Sequence, residues 1–453
     1  MPGAAAVLDV GKTNVKLALF APDGALLWER STPNRFLPGP PYPHADVDAI
    51  WAFLIEALRD AGAAQRIDVI VPTTHACAGA FVDDVGLVLP VLDYEFAGVK
   101  EIDALYASLR PPYSETLSPR LPVGLNQGRQ ITWQKQRFPE AFAKSKHYLT
   151  YPQYWSWRLT GVAAAEVTYL GCHSDLWAPI AGRPSSLAAK LNLPRLTPPF
   201  RRAWDRLGRI KPDVAAQTGL DPDTQVLCGV HDSNASLLPH LASRKPPFTI
   251  VSTGTWVILM APGLGVGGLN ETDDMLANVD VEGRPTACAR FMGGREYAEI
   301  VGAEIGDADA DAIGRVVASG AMALPSFAQQ GGPFASRKGE IRGAVAAGDR
   351  PALATLYIAL MTDLMLTRLG AGAGDLIVEG SFAANSAYCG LLAALRPSQR
   401  VFAGGDSAGT ARGAALLARW PAPCPEIAQE EPIEASAIDG LAAYRTAWNN
   451  AVE

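Results

Sequence analysis

A strand–turn–strand pattern occurs twice in this chain of 453 residues, once near the start of each half. Residues 7–20 and residues 249–260 both place apolar, β-branched runs on either side of a short polar turn. Each turn is too short for a helix, so each segment is predicted to be a β-hairpin. Backbone N–H groups and hydroxyls in such a turn project into a concavity that suits a phosphate group. The pair of hairpins predicts two related α/β domains, each a mixed sheet flanked by helices, with a polyphosphate held in a cleft between them.

The length and charge of the chain limit which classes of protein it can belong to. A chain of 453 residues exceeds what one hydrophobic core usually organises, so we expect two domains, residues 1–242 and 243–453, joined by the proline-stiffened stretch 243–247. A hydrophobic share of 48% and a charged share of 19% are typical of a soluble globular protein. The net charge of −7 argues against a nucleic-acid surface, because binding to a phosphate backbone needs a basic face. Nucleotide binding stays open, since backbone amides, one or two cations and Mg²⁺ suffice for it.

The cysteines and the N-terminal residues indicate the compartment. Six cysteines are scattered along the chain without a C-x-x-C pair, so we expect reduced thiols. The first residues lack the basic lead and long apolar core of a signal peptide, and no apolar run approaches a membrane span. The sequence therefore predicts a cytoplasmic protein with neither a membrane nor a nucleic acid among its partners.

Hydrophobic periodicity and turn residues predict the elements around the hairpins. Residues 46–61 have helical spacing with Asp46 as the N-cap, and residues 99–202 are predicted to be an insertion of short helices that shapes a pocket and adds no sheet. The other predicted elements are a third strand at 26–30, a buried strand at 67–71 with strands at 81–82 and 87–89 beside it, a helix at 352–369, strands at 376–380 and 401–405, and an Ala/Gly-rich helix at 408–420.

Two carboxylates lie at strand ends. Asp9 precedes the first turn by two residues, where it would hold Mg²⁺ through water while the turn contacts phosphate oxygens; the alternative is an ordinary hairpin with Asp9 capping the turn. Asp232 lies where a strand gives way to a helix, which suits either a helix N-cap or a general base directed into the crevice at the end of a sheet. His231 beside it is interpreted as a packing or supporting neighbour.

Other polar residues occur in patterns that suit ligands. Gly254 in the second hairpin allows close backbone approach, and the neighbouring hydroxyls would reach a terminal phosphate. The small-residue turns 379–385 and 404–409 would form a slot for a flat adenine ring, or serve as packing devices. In the first half, amides, carboxylates and imidazoles would surround a polyol, although each alone is more often structural. These candidates are His75, Asp93, Glu95, Gln127 and Asp175.

Four motifs, taken in chain order, resemble those of the FGGY carbohydrate kinases, a family within the actin-like ATPase superfamily. They are Asp9-x-Gly11-x-Thr13, Gly229-x-x-Asp232, residues 252–255 and the loop 380–385. The segment 154–161 is similar to the aromatic-rich helix of that family, which ends in Leu-Thr-Gly. The resemblance spans nearly the whole chain and implies two related domains that clamp ATP. Departures at Lys12, His75 and Ser381 favour a branch near the L-fuculose and L-rhamnulose kinases.

The resemblance also implies roles for the matching residues. Asp232 falls on the catalytic base of the family, and Asp9 falls on the carboxylate that holds Mg²⁺ through water. His75, Asp93 and Glu95 fall on sugar contacts. The first phosphate turn takes in Thr13, Asn14 and Lys16 with Gly11 and Lys12 beside them, the second takes in Thr253, Gly254 and Thr255, and the adenosine loop takes in Gly380, Ser381 and Asn385.

These features predict ATP-dependent phosphorylation of a hydroxyl of a ketose or related polyol, with ATP and Mg²⁺ as cofactors. Three alternatives stay open: an actin-like ATPase switch that serves a partner, a non-catalytic sugar sensor, and an acid-sugar or acyl kinase with the same clamp. The polar insertion between residues 126 and 175 argues against the switch, because a switch does not need a hydroxyl-lined cavity. The presence of both Asp9 and Asp232 argues against the sensor. The expected partners are a small-molecule sugar and, as one option, a second copy of the chain in a homodimer.

Overall fold

The computed structural model of the protein describes residues 3–303, 308–329, 331–404, 409–421 and 431–453. The chain divides into two compact units. The first unit comprises Met1–Ser243, Ala277–Pro285 and Ala408–Ile427, and the second comprises Arg244–Leu276, Thr286–Ser407 and Ala428–Glu453. The predicted domains, 1–242 and 243–453, are contiguous stretches of chain. The observed units are not contiguous, because two segments of the second half group with the first unit.

A mixed seven-stranded sheet forms the centre of the first unit. Its strand Ala4–Val10 pairs antiparallel with Asn14–Phe20 and parallel with Ile67–Thr74, which confirms the first predicted hairpin. The strand is apolar along almost its whole length because both faces of the sheet are covered. The sheet order is Arg206–Arg209, Gln225–Leu227, Ile67–Thr74, Ala4–Val10, Asn14–Phe20 and Leu26–Pro33, and Val230–His231 also pairs with Ile67–Thr74.

Helices cover both faces of this sheet. On one face lies Val47–Ala64, and the carboxylate of Asp46 accepts a hydrogen bond from the Ala49 N–H at 3.0 Å, as the predicted N-cap requires. On the other face lie Asp232–Ser243 and Gly409–Leu416. These two helices pack so closely that a Cβ on Gly413 would lie 1.8 Å from the Ala235 carbonyl oxygen. The small residues predicted for that helix are therefore required by its packing.

The insertion differs from its prediction. The strands Gly79–Val82, Leu87–Leu89 and His147–Thr150 form a separate three-stranded sheet, with Phe81 opposite Tyr148. The expectations that 81–82 and 87–89 lie beside the main strand and that the insertion adds no sheet are both wrong. A strand of four residues has too few alternating positions to be recognised in a sequence, and its partner lies more than sixty residues away along the chain.

The second unit repeats the strand arrangement of the first. Its strand Phe248–Thr253 pairs antiparallel with Val257–Ala261 and parallel with Asp375–Gly380. The sheet order is Met275–Val279, Pro285–Phe291, Val257–Ala261, Phe248–Thr253, Asp375–Gly380 and Val401–Ala403. The prediction of two related mixed sheets flanked by helices is therefore confirmed, whereas the predicted cleft stays a prediction.

A long apolar helix passes through the core of the second unit. Among the described residues, one helical segment, Ala347–Leu369, is long and apolar enough to cross a membrane by length and composition, and 83% of its most apolar window is buried inside the protein. The expectation that no apolar run approaches a span is corrected by this helix. Such burial is also what a core helix shows.

The remaining elements are further α-helices and small sheets. The other α-helices are Asp103–Leu109, Tyr113–Thr116, Gln127–Arg137, Pro139–Lys144, Tyr151–Thr160, Val167–Leu170, Ser186–Lys190, Pro212–Thr218, Gly293–Val301, Ala310–Ser319, Arg350–Leu369 (the α-helical part of the long segment), Ser386–Leu395 and Leu441–Val452. Small two-stranded sheets pair Phe36–Leu37 with His44–Ala45, Trp177–Ala178 with Arg183–Pro184, and Met322–Leu324 with Glu340–Arg342. The cysteines in the described part of the chain are buried: Cys77, Cys172, Cys228, Cys288 and Cys389.

Candidate functional site

Asp9 and Asp232 lie at the same edge of the first unit's sheet. Asp9 is in register with Thr73, and Val230 is in register with Thr73 from the other side. Because the three strands run parallel, their carboxyl ends meet at one edge, and Asp232 begins the helix that follows the third strand. The negative charge of Asp232 acts on Asp9 strongly enough to help raise the pKa of that carboxyl. The structure therefore brings together the two acids that the sequence places more than two hundred residues apart.

The carboxylate of Asp9 has the character of a ligand for a hydrated cation. Burial and then the charge of Asp232 raise its pKa to about 7, while Lys16, opposite it in the hairpin, acts to lower the pKa. Within the described residues, the carboxylate accepts no hydrogen bond and no group of three or more His, Cys, Asp or Glu residues forms a metal site. Mg²⁺ keeps several waters and takes few protein carboxylates, so this donor set fits Mg²⁺ bound through water.

The carboxylate of Asp232 is held on one oxygen only. Its Oδ1 accepts a hydrogen bond from the Ser233 N–H at 2.6 Å and lies 3.0 Å from Nε2 of His231. Its Oδ2 accepts no hydrogen bond from any described residue, and the side chain is 31% exposed. Burial acts to raise the pKa of Asp232, but the charge and hydrogen bond of His231 outweigh it, so the pKa is lowered. The acid is thus ionised and fixed, with one oxygen open to a ligand.

His231 does more than the packing assigned to it from the sequence. The imidazole is 2% exposed, and the Asn234 amide lies 3.4 Å from its Nδ1. Burial acts to lower the pKa of His231, but the charges of Cys172 and Asp232 and the hydrogen bonds to both raise it to about 10. An imidazolium donates from both ring nitrogens, so it pairs with Asp232 through Nε2 and with the Asn234 amide oxygen through Nδ1 once that amide is turned toward it. Only the adjacency of His and Asp at the strand end signalled this pair in the sequence.

His75 follows the central strand Ile67–Thr74 toward the same edge. Its Nδ1 lies 2.7 Å from the Ala76 carbonyl oxygen, whereas its Nε2 is buried and has no hydrogen-bond partner among the described residues. Burial lowers the pKa of His75, so the ring is neutral. The Thr73 hydroxyl, two residues earlier, is also buried without a partner in the described chain. Buried polar atoms rarely stay unpaired, so these two are suited to the hydroxyls of a ligand.

Lys12 is engaged in a way that the sequence did not predict. Its ammonium pairs with Asp93 and lies 3.3 Å from an Oε atom of Glu95. It also lies 3.7 Å from the centre of the Phe36 ring and 4.6 Å from that of Tyr94. The structure thus joins a residue predicted to contact ATP to two residues predicted to contact the sugar, and it adds Phe36 and Tyr94 to the group.

In the rest of the first turn (residues 11–14), the side chains of Thr13 and Asn14 are accessible to a ligand. The Gly11 N–H donates to the Asn14 carbonyl oxygen at 2.9 Å and closes the turn. Thr13 and Asn14 are exposed, and the Asn14 amide donates to the Thr13 hydroxyl at 3.2 Å. Lys16 lies 3.5 Å from Glu29, and this pair is partly solvent-exposed. Contacts from Thr13, Asn14 and Lys16 to a phosphate stay predictions that this geometry permits.

Two of the predicted polyol contacts have structural partners. Asp175 accepts hydrogen bonds from the Tyr106 hydroxyl at 2.5 Å and from the Arg110 guanidinium at 3.1 Å, and its φ is 63°. Its side chain is fully buried in this network, so its bonding does not support a sugar contact. The Gln127 amide donates to the Ala78 carbonyl oxygen at 2.8 Å, while its Oε1 is buried without a partner among the described residues. Gln127 therefore keeps one acceptor for a ligand.

The second turn, predicted to hold phosphate through Thr253, Gly254 and Thr255, contacts the backbone of neighbouring segments. The Thr253 hydroxyl donates to the Glu379 carbonyl oxygen at 2.5 Å and accepts from the Phe382 N–H at 2.9 Å. This hydroxyl joins the hairpin to the loop that follows Asp375–Gly380, and its contact with phosphate stays a prediction. A Cβ on Gly380, whose φ is 81°, would lie 1.9 Å from the Thr253 carbonyl oxygen. Only glycine fits this approach.

A helix N-terminus abuts the second turn, which the sequence analysis missed. The helix Gly293–Val301 comes so close that a Cβ on Gly294 would lie 2.1 Å from the Gly254 carbonyl oxygen. The consecutive glycines 293 and 294 were the signal that could have revealed it. Open backbone and a helix N-terminus together suit a phosphate group.

The other residues predicted to contact the nucleotide differ in their exposure and in their hydrogen bonds. Thr255 and Ser381 are exposed, and Gly254 has no atom within 4 Å of a Cβ position. Asn385 serves as the N-cap of Ser386–Leu395, since its side chain accepts from the Tyr388 N–H at 3.0 Å. Of the predicted adenine turn 404–409, residues 405–408 lie outside the described residues.

Comparisons with known proteins identify the relatives of this chain. The profile described as "FGGY family of carbohydrate kinases, N-terminal domain" matches residues 99–239, and "Carbohydrate kinase FGGY, C-terminal domain" matches residues 245–426. A crystal structure of a carbohydrate kinase from Novosphingobium aromaticivorans is 36% identical, covers 99% of this chain and 98% of its own, and superposes with a TM-score of 0.92. The chain belongs to the FGGY family of carbohydrate kinases.

More distant relatives of this FGGY chain carry more specific names. L-fuculokinase of Escherichia coli (strain K12) is 25% identical over 266 residues, which are 56% of this chain and 55% of that protein. The chain thus spans about half the length of the curated relative it matches. Ligand-bound xylulose kinase from Lactobacillus acidophilus has a TM-score of 0.78 at 15% identity, with 99% and 96% of the two chains covered, and this likeness shows the fold alone.

Proposed function

We propose that this FGGY family member transfers the γ-phosphoryl group of ATP to a hydroxyl of a ketose or related polyol. The observation that carries the proposal is the sheet edge shared by Asp9 and Asp232, where a buried carboxylate with a raised pKa lies at the same edge as a carboxylate with a lowered pKa. Phosphoryl transfer needs little covalent chemistry from the protein, which mainly positions groups and neutralises charge.

Asp232 orients the acceptor hydroxyl and takes its proton. His231 keeps the carboxylate ionised and directs it through Oδ1, so that Oδ2 is the oxygen that meets the substrate. Asp9 would hold Mg²⁺ through water, and Mg²⁺ would supply neutralisation of phosphate charge. The first turn offers Thr13, Asn14 and the Lys16 ammonium to phosphate oxygens.

The second unit offers backbone groups and hydroxyls as a cradle for the nucleotide. The second turn, the N-terminus of the helix Gly293–Val301 and the loop after Gly380 present backbone N–H groups and the hydroxyls of Thr255 and Ser381. Backbone dipoles bind phosphate without a cationic cluster, in keeping with an acidic protein.

The acceptor is neutral. Among the described residues, the cations whose charge acts on His75 are Lys12 and His231, and both are paired with carboxylates of the protein. Neither is free to hold a substrate carboxylate, which disfavours the acid-sugar and acyl kinase alternative. The unpaired His75 Nε2, Thr73 hydroxyl and Gln127 Oε1 match the hydroxyls of a polyol instead.

A coupled ADP-release assay tests the proposal across ketohexoses, deoxy-ketoses such as L-fuculose, pentuloses, alditols, gluconate and acetate. We expect ADP release that depends on one of the neutral acceptors, with L-fuculose the first to try because of the curated relatives. Slow ADP release that no acceptor stimulates would favour an ATPase switch, and sugar binding without ADP release would favour a sensor. The cytoplasmic location and the homodimer stay predictions.

A further inference from the structure

The ammonium of Lys12 has no room for a phosphate partner. Two carboxylates, those of Asp93 and Glu95, and the faces of the Phe36 and Tyr94 rings surround it, and the Lys12 side chain is 21% exposed. A lysine ammonium has three N–H donors, so two carboxylates and a ring face use its bonding capacity. A phosphate oxygen would have to displace Asp93, whose side chain is 14% exposed and would then lose its cation.

The loop 93–95 is otherwise held by its backbone. The Asp93 N–H donates to the Pro43 carbonyl oxygen at 2.9 Å, and the Tyr94 carbonyl oxygen accepts from the Gly124 N–H at 2.8 Å. The Asp93 Oδ1 atom that pairs with Lys12 also accepts from the Glu95 N–H at 3.0 Å. The side chains of the loop are therefore oriented mainly by Lys12.

The Tyr94 ring links Lys12 to the acceptor side of the site. One contact of the ring is the Lys12 ammonium, and another is the His75 ring, with the two ring centres 5.7 Å apart and the planes at 66°. The Tyr94 hydroxyl has no hydrogen-bond partner among the described residues, and the pKa of Tyr94 is raised by burial and by nearby charges that include Asp232. Tyr94 and His75 thus present an unpaired hydroxyl and an unpaired Nε2 near the base.

We propose that Lys12 is a positioning residue for the acceptor: its ammonium holds the loop 93–95 and the Tyr94 ring against His75, and it thereby sets the affinity for the sugar and not for ATP. This inference rests on the proposed function and deepens it. It reassigns a residue of the first turn from the nucleotide to the sugar, although Lys12 lies only three positions from Asp9.

The test compares Lys12→Met, Lys12→Arg and Lys100→Met with the wild-type enzyme. Methionine keeps the apolar stem and removes the charge, so we expect the KM for the best neutral sugar to rise about tenfold while the KM for ATP changes less than about twofold. Arginine keeps the charge and the ring contacts and should restore most of the sugar affinity. Lys100, an exposed lysine just after the loop, is the matched control and should leave both constants unchanged.

Two further measurements separate positioning from loss of folding and from failure of the proposed function. The unliganded melting midpoint of Lys12→Met reports folding, and the shift of that midpoint by sugar alone or by Mg–ATP alone reports binding without turnover. Added to Lys12→Met, Asp93→Asn removes the unpaired carboxylate and should recover part of the sugar-induced shift. A larger loss of ATP affinity than of sugar affinity in Lys12→Met, or equal affinities in Lys12→Met and wild type, overturns the proposal. Sugar binding without ADP release in wild type overturns the kinase activity and still tests Lys12, while no sugar-induced shift in wild type overturns both.

Discussion

The two hairpins share one strand arrangement and differ in their chemistry. In each unit the first strand of the hairpin pairs antiparallel with the second and parallel with a later strand of the same sheet. The first hairpin carries Asp9, Lys12 and Lys16, whereas residues 252–256 of the second carry no charge. One duplicated frame therefore supports a charged edge in the first unit and a backbone cradle in the second.

The difference extends to how each turn is held. In the first unit, Lys12 fixes its turn through side-chain contacts with Asp93 and Glu95. In the second unit, the Thr253 hydroxyl and the glycines 294 and 380 fix the turn through backbone contacts. A charged side chain can be substituted without altering the backbone. A glycine at a close backbone approach cannot, because any added side chain collides with the neighbouring backbone. We therefore expect substitutions in the first unit to act on chemistry and those in the second to act on folding and nucleotide binding together.

The largest expected effect is that of Asp232→Asn. The amide cannot accept the proton of the acceptor hydroxyl, so kcat should fall by about 10²–10⁴-fold while the affinity for ATP is retained. Steady-state ADP release and ATP titration measure the two quantities. Asp213→Asn, at an exposed carboxylate in the first turn of Pro212–Thr218, is the control and should leave kcat unchanged. If Asp232→Asn turns over at the wild-type rate, Asp232 is not the base, and the charged residues of the first unit do not explain how the two hairpins differ in chemistry.

The next effect concerns Asp9 and pH. Because burial and the charge of Asp232 raise its pKa to about 7, the affinity for Mg–ATP should fall by up to about tenfold for each pH unit below 7, as the carboxyl takes up a proton. Titration of Mg²⁺ at fixed ATP between pH 6 and pH 8 measures this slope, and Asp9→Asn should abolish it. A wild-type slope that survives in Asp9→Asn would assign the titration to another group.

The same pKa has a consequence for stability. The folded pKa of Asp9 exceeds its usual value of 3.8, so the folded protein holds this proton more tightly than the unfolded chain does. The contribution of Asp9 to the free energy of unfolding therefore falls as the pH rises from 3.8 to about 7. Melting midpoints of wild type and Asp9→Asn should diverge over that range, with the variant gaining relative to wild type as the pH rises.

The smallest expected effect separates two glycines of the second unit. A Cβ on Gly380 meets the Thr253 carbonyl oxygen, and its φ is left-handed, so Gly380→Ala should lower the free energy of unfolding by about 1–3 kcal/mol and raise the KM for ATP. Gly254→Ala is the matched control, because no atom lies within 4 Å of its Cβ position, and its free energy of unfolding should change by less than about 0.5 kcal/mol. Denaturant unfolding and ADP release distinguish them. Equal effects would mean that the backbone approach does not hold this turn.

Local patterns in the sequence were enough to predict much of the fold. The Asp46-capped helix, the long helix ending at Leu369 and both hairpins depend on residues close together in the chain, and the structure has all of them. The sheet of the insertion was not predicted, because His147–Thr150 pairs with Gly79–Val82 more than sixty residues away and each of the three strands has only three or four residues. Pairing between distant short strands leaves almost no periodic signal.

The candidate site, like the fold, was predicted from the sequence only in part. The order of motifs identified Asp9, Asp232 and His75 as candidates because each follows or ends a recognisable strand. The sequence did not reveal which distant residues the side chains of the site pair with. Lys12 pairs with Asp93, 81 positions away, and the Thr253 hydroxyl donates to the Glu379 carbonyl oxygen, 126 positions away. Asp175, predicted to contact a polyol, accepts hydrogen bonds from Tyr106 and Arg110, two partners that the sequence did not reveal.

By itself, the sequence determined two related mixed sheets and the residue types available at their edges, since hydrophobic alternation and turn residues act over a few positions. Only the tertiary structure decided which of those side chains remain open to a ligand. Whether a carboxylate or an ammonium is open depends on the charge and hydrogen bonds that folding places within a few ångströms of it. Those neighbours come from distant parts of the chain, and no local pattern records them.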